Sequence, residues 1–192
     1  MSEPRVLETQ GARAAPSSAA VAVTGACDFL AGVGAVLGAL CMAAMFLLIF
    51  GEVLSRAFLG RSIHFSWEYA GYSIGAVVFL ASATALRRGV HVRLTLLIDN
   101  LPRRLRAVGE AVATLIALAI MLVVTSALFT MVSTAWVSGA ASPTYMRTPL
   151  YIPQGLMLLG LVMLDLQLVG RLFLILLGQP TETKVSTLMA DH

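Results

Sequence analysis

Charge is scarce in this chain. Only 12% of its 192 residues are Asp, Glu, Lys or Arg, against 58% hydrophobic residues, and the mean hydropathy is +0.88. Soluble domains carry about 25% charged residues, so this composition points to an integral membrane protein. The net charge of +3 is too small to suggest nucleic acid as a partner. Cysteine is nearly missing, with Cys27 and Cys41 alone. On one continuous helix the two would stand roughly 20 Å apart, whereas a disulfide needs Cα atoms within about 7 Å. Two unpaired thiols are expected, and with no Cys-x-x-Cys there is no support for redox or zinc chemistry. Neither His64 nor His91 falls in the middle of an apolar run, so haem ligation has no candidate. There is no P-loop, no Gly-x-Gly-x-x-Gly and no zinc-binding helix motif. No catalytic residue, cofactor or metal is expected.

What is present is a set of long uncharged runs. Phe29 to Gly51 is the first, bounded by Asp28 at one end and by Glu52 and Arg56 at the other. A run of this length spans a hydrocarbon core of about 30 Å as a helix. Gly34 and Gly38 form a G-x-x-x-G, and Ala31, Ala35, Ala39 and Ala43 repeat beside it. Small residues at that spacing allow another helix to approach closely. Glu52 and Arg56, four apart, can pair on one helical face. Leu59 to Phe65 reads as a short connection, with Gly60 and Ser62 suited to a turn.

The second crossing is read from Ser66 to Leu86, with Ser66 as N-cap and Trp67 and Tyr69 in an interfacial aromatic belt. Gly71 and Gly75 repeat the G-x-x-x-G spacing. Glu68 lies near the boundary shared by Arg56 and Arg61, so either a salt bridge between the first two helices or a solvated carboxylate is expected there. A basic stretch follows, with Arg87, Arg88, Arg93, Arg103, Arg104 and Arg106 as candidate cytoplasmic lipid anchors. Within it Val90, Leu94, Leu97, Ile98 and Leu101 share one face of a short amphipathic helix lying in the interface. Pro102 suits the start of the third crossing, which runs uncharged from Ala111 past Val137, with Trp136 at its far interface. Gly139 to Pro149 reads as a loop. The fourth crossing, from about Tyr151 to Leu177, contains Asp165. An intramembrane carboxylate is a functional candidate; its alternative is a hydrogen bond to a neighbouring helix.

The expected architecture is thus an all-α integral membrane protein of four transmembrane helices plus one interfacial helix. Residues 1–24 and 179–192 are read as flexible cytoplasmic tails flanking a membrane domain over 25–178. Four crossings put ten Lys and Arg residues on the side of the termini and three on the other, which predicts cytoplasmic termini.

The run Phe65-Ser66-Trp67-Glu68-Tyr69-Ala70, then Val78-Phe79-Leu80-Ala81-Ser82-Ala83, then Ala85-Leu86-Arg87-Arg88-Gly89-Val90-His91-Val92, resembles the small membrane subunit of tripartite ATP-independent periplasmic (TRAP) transporters. Leu101-Pro102, Arg103-Arg104, Glu52-Val53-Leu54-Ser55-Arg56, Ser142-Pro143, Ile152-Pro153 and Gly155 are also similar, over roughly residues 30 to 178. The family often pairs two acids at the entry to the second helix, where this chain has Glu68 followed by Tyr69. The resemblance implies a non-enzymatic permease subunit of the bacterial inner membrane. It would brace a large permease subunit during sodium-driven uptake of an organic acid delivered by a periplasmic solute-binding protein. A stand-alone proton-coupled exporter is disfavoured because such proteins carry their acid within the first helix, and a redox anchor because Cys pairs and helix histidines are missing.

Overall fold

The computed structural model describes residues 18–63, 65–88 and 103–178, with side chains from 108 onward in the last segment. Four helices account for nearly all of it: α1 Ser18–Leu59, α2 Ser66–Arg87, α3 Arg103–Ser138 and α4 Tyr151–Leu176. All four are long and apolar enough to cross a membrane. The expected interfacial helix, with His91 and Arg93, and the tails at 1–17 and 179–192 lie outside the described residues.

At about 1.5 Å per residue, α2 and α4, of 22 and 26 residues, match a hydrocarbon core of roughly 30 Å. The other two overhang it: α1 has 42 residues and α3 has 36. The extra length of α1 corrects the boundary expected at residue 24. Residues 18–24 are helical because Ala and Val continue the α1 pattern and have something to pack against. Ala20 is buried, and Val23 lies beside Gly170 of α4.

Helix ends follow local chemistry. Gly60 after α1 and Gly139 after α3 take φ of +61° and +62°, the left-handed closure that glycine accommodates without a Cβ clash. Pro153 sits in the first turn of α4, where its missing N–H leaves no bond unmade. Ser66 is not the N-cap of α2. Phe65 already has helical dihedrals (φ −80°, ψ −15°) and the cap makes no side-chain bond. Ser66 N–H donates to Ile63 O at 3.0 Å, so the preceding turn runs straight into the helix.

Packing centres on α2 and α4. Ala76, Leu80, Ala83 and Leu86 from α2 meet Met163, Leu164 and Leu168 from α4, with Leu30, Val33 and Leu37 of α1 against one edge. Among the described residues helix α1 packs on both α2 and α4, whereas α3 packs on α4 alone. No residue in the most apolar stretch of α3 is buried. Lipid is as apolar as a leucine side chain, so contact between these helices depends on close fit and hydrogen bonds. Approach to a neighbouring helix's backbone is closest at two glycines. Gly34 lies where an added Cβ would stand 2.9 Å from Leu80 O, and Gly160 where one would stand 2.8 Å from Leu80 N and 2.9 Å from Phe79 C.

Candidate functional site

Bonded polar side chains gather in two groups near the ends of the bundle, one at the end carrying the α1–α2 turn and the α3–α4 loop, the other nearer the termini, with Asp165 between them. At the turn end, Glu52 is only 4% exposed. Arg56 Nη2 donates to its Oε1 at 2.7 Å, as does Ser62 Oγ, also at 2.7 Å. The Ile63 N–H donates to Oε2. Arg56 Nη2 also reaches Ser62 Oγ at 3.2 Å, and Ser55 Oγ donates to Arg61 O at 2.8 Å. The expected Glu52–Arg56 pair is therefore present, but its carboxylate does more than pair. It ties the last turns of α1 to the connection that follows.

Glu68 departs from expectation. Among the described residues it pairs with neither Arg56 nor Arg61. Its carboxylate accepts from Tyr72 Oη at 2.8 Å and from Thr144 Oγ1. Tyr69 Oη meets Thr148 Oγ1 at 2.9 Å. The first turn of α2 thereby grips both arms of the α3–α4 loop. That loop is itself framed: Ser142 N–H donates to Thr148 O at 2.9 Å, Leu150 N–H to Ala140 O at 3.0 Å, and Arg147 N–H to Thr144 O at 3.0 Å. Ala141 and Pro149 form an antiparallel bridge. Ser142 and Thr148 are buried, while Tyr145 at the tip is 98% exposed. At the helix ends flanking the loop, Trp136 and Tyr151 pack edge to face with centroids 4.6 Å apart.

Nearer the termini, Arg87 is corrected as a lipid anchor. It is 6% exposed, and its Nε donates to Asp28 Oδ1 at 2.6 Å, joining α2 to α1. Arg88 is exposed, and the backbone of Arg103, Arg104 and Arg106 forms the first turn of α3. Thr84 Oγ1 donates to Ala31 O at 2.8 Å and Gln167 Nε2 to Cys27 O at 2.6 Å. Gln167 was missed in the sequence, although a glutamine amid leucines in an apolar helix is itself a signal. Arg171 lines a narrow cleft with Cys27, Leu86, Arg87 and Gln167. Both cysteines are free.

Asp165 is 8% exposed. Thr125 Oγ1 of α3 donates to its Oδ2 at 2.7 Å, the hydrogen bond to a neighbouring helix that was one of its two expected roles. Of the four glycines named in the sequence, Gly34 and Gly38 face α2, and Gly75 meets the end of Met157 in α4. A Cβ at Gly71 would meet nothing within 4 Å beyond its own helix backbone among the described residues. The alanine series drifts likewise from buried Ala31 to exposed Ala43, because each four-residue step rotates about 40° past a full turn. Gly160 and Gly170 on α4, which were not singled out, make closer approaches than Gly38.

One short pattern imitates a catalytic motif. Gly71-Tyr72-Ser73-Ile74-Gly75 spells Gly-x-Ser-x-Gly, whose serine in hydrolases sits on a strand-to-helix turn. Here Ser73 lies inside α2, and its Oγ donates to Tyr69 O at 2.8 Å. No group of three or more His, Cys, Asp or Glu side chains that could hold a metal occurs among the described residues.

Four membrane-length helices, with polar side chains engaged in gripping loops and joining helices, define a multi-pass helical membrane protein. Comparison with protein families makes this specific. Residues 45–178 match the family model of the DctQ component of tripartite ATP-independent periplasmic transporters. The chain belongs to this family: it is a TRAP transporter small permease component and not an enzyme. The match begins at residue 45, later than the residue 30 expected from motifs, so Cys27, Asp28, Gly34 and Gly38 lie before it. No curated protein and no solved structure matches the chain.

Proposed function

We propose that this subunit braces a large permease subunit while an organic acid, delivered by a periplasmic solute-binding protein, is taken up with a sodium gradient. The observation that carries the reading is α3. It packs on α4 alone, and none of its most apolar stretch is buried. A helix so placed has one flank free for another membrane protein or for lipid. The polar groups of the bundle also favour a bracing role. Glu52, Glu68, Arg87 and Asp165 each bond to a loop or a neighbouring helix, and transporters that bind substrate at midplane typically use broken helices, whereas these four run unbroken.

In this reading both termini are cytoplasmic, in keeping with the ten-to-three distribution of Lys and Arg. The basic strip of Arg88, Arg93, Arg103, Arg104 and Arg106 faces the anionic leaflet, with Arg87 withdrawn into its pair with Asp28. Reconstitution tests the proposal. In proteoliposomes the subunit alone should give no sodium-driven uptake of organic acids, and uptake should appear when the large permease and the binding protein are added. Uptake by this subunit alone would overturn the bracing role, and Asp165 would be the first residue to substitute.

A further inference from the structure

The end of α1 and the first turn of α2 enclose a furrow of about 360 Å³. Ile49, Val53, Arg56 and Ala57 wall it on one side, Ser66 and Trp67 on the other. Its apolar lining continues down α1. Phe46, Ile49, Phe50, Val53 and Ala57 fall at i, i+3, i+4, i+7 and i+11, one face of a helix, and all five are exposed. The rings of Phe46 and Phe50 stack with centroids 5.6 Å apart. From residue 46 to residue 57 the strip is roughly 16 Å long, about half of a hydrocarbon core of roughly 30 Å. It is one leaflet deep and carries no polar group until its boundary end. There the Arg56 guanidinium is held by Glu52 and Ser62, both through Nη2, so that Nε and Nη1 are engaged by no described residue. Arg61, whose carbonyl is fixed by Ser55 Oγ, adds a second exposed cation to this turn, against the single carboxylate of Glu52. In the opposite wall Ser66 is buried, and its Oγ has no hydrogen-bond partner among the described residues.

An apolar strip one leaflet deep, then a hydroxyl lacking an acceptor, then a cation at the boundary, matches in order the acyl chain, ester carbonyls and phosphate of a phospholipid. A partner helix fits less well. Close helix contacts in membranes use small residues, and this strip is built mainly of Phe, Ile and Val. A soluble anion would gain nothing from the strip. We infer that the furrow is a specific site for one anionic phospholipid, with its phosphate on Arg56 and one acyl chain along Phe46 to Ala57. The planar N–H fork of arginine suits a phosphate. Glu52 and Ser62 already aim it, so little ordering remains to be done on binding. Two cations against one carboxylate favour a headgroup with net negative charge over a zwitterionic one. An ester carbonyl of the lipid supplies the acceptor that Ser66 lacks. The site goes beyond the bracing role and requires only that α1 and α2 cross the membrane.

Trp67, in the wall of the furrow, reports its occupant. The chain has one other tryptophan, Trp136, on α3, which packs on neither α1 nor α2 among the described residues. The full-length subunit with Trp136→Phe is reconstituted in phosphatidylcholine bilayers containing brominated phosphatidylglycerol, and in the converse mixture. Quenching of Trp67 then gives the affinity for the anionic lipid relative to the zwitterionic one. The Trp67→Phe protein gives the same ratio at Trp136. Attraction by one basic residue should favour phosphatidylglycerol at Trp67 about fivefold. Arg56→Gln should bring that ratio close to unity and leave the ratio at Trp136 unchanged. Arg56→Gln also removes a bond to Glu52, so Arg61→Gln, which leaves that pair intact, serves as the second variant and should lower the ratio in part. A ratio near unity at Trp67 with both arginines present would overturn the inference. So would a preference at Trp67 that survives both arginine substitutions. A parallel fall at Trp67 and Trp136 would also overturn it, by assigning the attraction to the charge of the whole surface.

Discussion

Replacing Gly160 with alanine should do what replacing Gly71 does not. A Cβ on Gly160 would stand 2.8 Å from Leu80 N and 2.9 Å from both Phe79 C and Phe79 Cβ. Two of those atoms are backbone, so no rotamer change relieves the overlap. Helix α4 must withdraw from α2. A gap of roughly 0.5–1 Å removes a quarter to a half of each dispersion contact it opens, and here it opens around Leu80 and Leu161, both fully buried. Overpacking of this kind costs about 1–3 kcal/mol. Alanine returns roughly 0.5–1 kcal/mol over glycine inside a helix, so a net loss remains. Gly34→Ala meets one backbone atom, Leu80 O, at 2.9 Å and should lie between the extremes. Gly75→Ala meets only the end of Met157, a flexible side chain that can move aside, and should change little. Gly71→Ala meets nothing and should be neutral or slightly stabilising. The assay is thermal unfolding of the purified subunit in one detergent. Gly160→Ala should lower the midpoint by a few degrees, roughly 2–4 °C for each kcal/mol lost. A Gly160→Ala variant as stable as Gly71→Ala would refute the packing described between α2 and α4.

Glu68→Gln should loosen the α3–α4 loop without unfolding the bundle, seen as faster amide exchange at residues 140–149 and unchanged exchange within α2. Matched charge reversal of Glu68 with Arg56 or Arg61 should give additive effects in a double-mutant cycle; a coupled response would restore the interhelix salt bridge. Gln167→Leu removes the bond to Cys27 O and should cost about 0.6 kcal/mol, the average for such contacts in membranes, in denaturant unfolding from mixed micelles. Asp28→Asn and Arg87→Gln should be coupled by on the order of 1 kcal/mol in the same assay, since neighbours in one ion pair are not additive.

The helical framework was legible because run length alone limits it. Three uncharged runs, and a fourth interrupted only by Asp165 and Arg171, leave little choice in a bilayer, and the turn at Gly60 and the loop at Gly139 follow from residues that favour them. Glu52 and Arg56 were also legible, being one helical turn apart. The partners of Glu68 and Arg87 were not. They lie 76 and 59 residues away, and a boundary carboxylate looks the same in sequence whether it faces an arginine or a threonine. The helix start at Ser18 was missed because an alanine-rich stretch after polar residues resembles a tail until Gly170 is found opposite Val23. Gly160 and Gly170 escaped notice because they are ten apart and form no G-x-x-x-G. Their closeness to α1 and α2 is a property of three helices together, not of one.

The two loop attachments close at different moments of synthesis. Glu52 reaches Ile63 across 11 residues and Glu68 reaches Thr144 across 76. At roughly 5–20 residues per second, the first needs about 0.5–2 s of further elongation and the second about 4–15 s. The α1–α2 hairpin is therefore finished while the third and fourth crossings are still being made. Throughout that interval Glu68 has Tyr72, one turn away, and lacks the threonine that will hold it. The α3–α4 loop is the seam at which the later half of the chain is fastened to the earlier one.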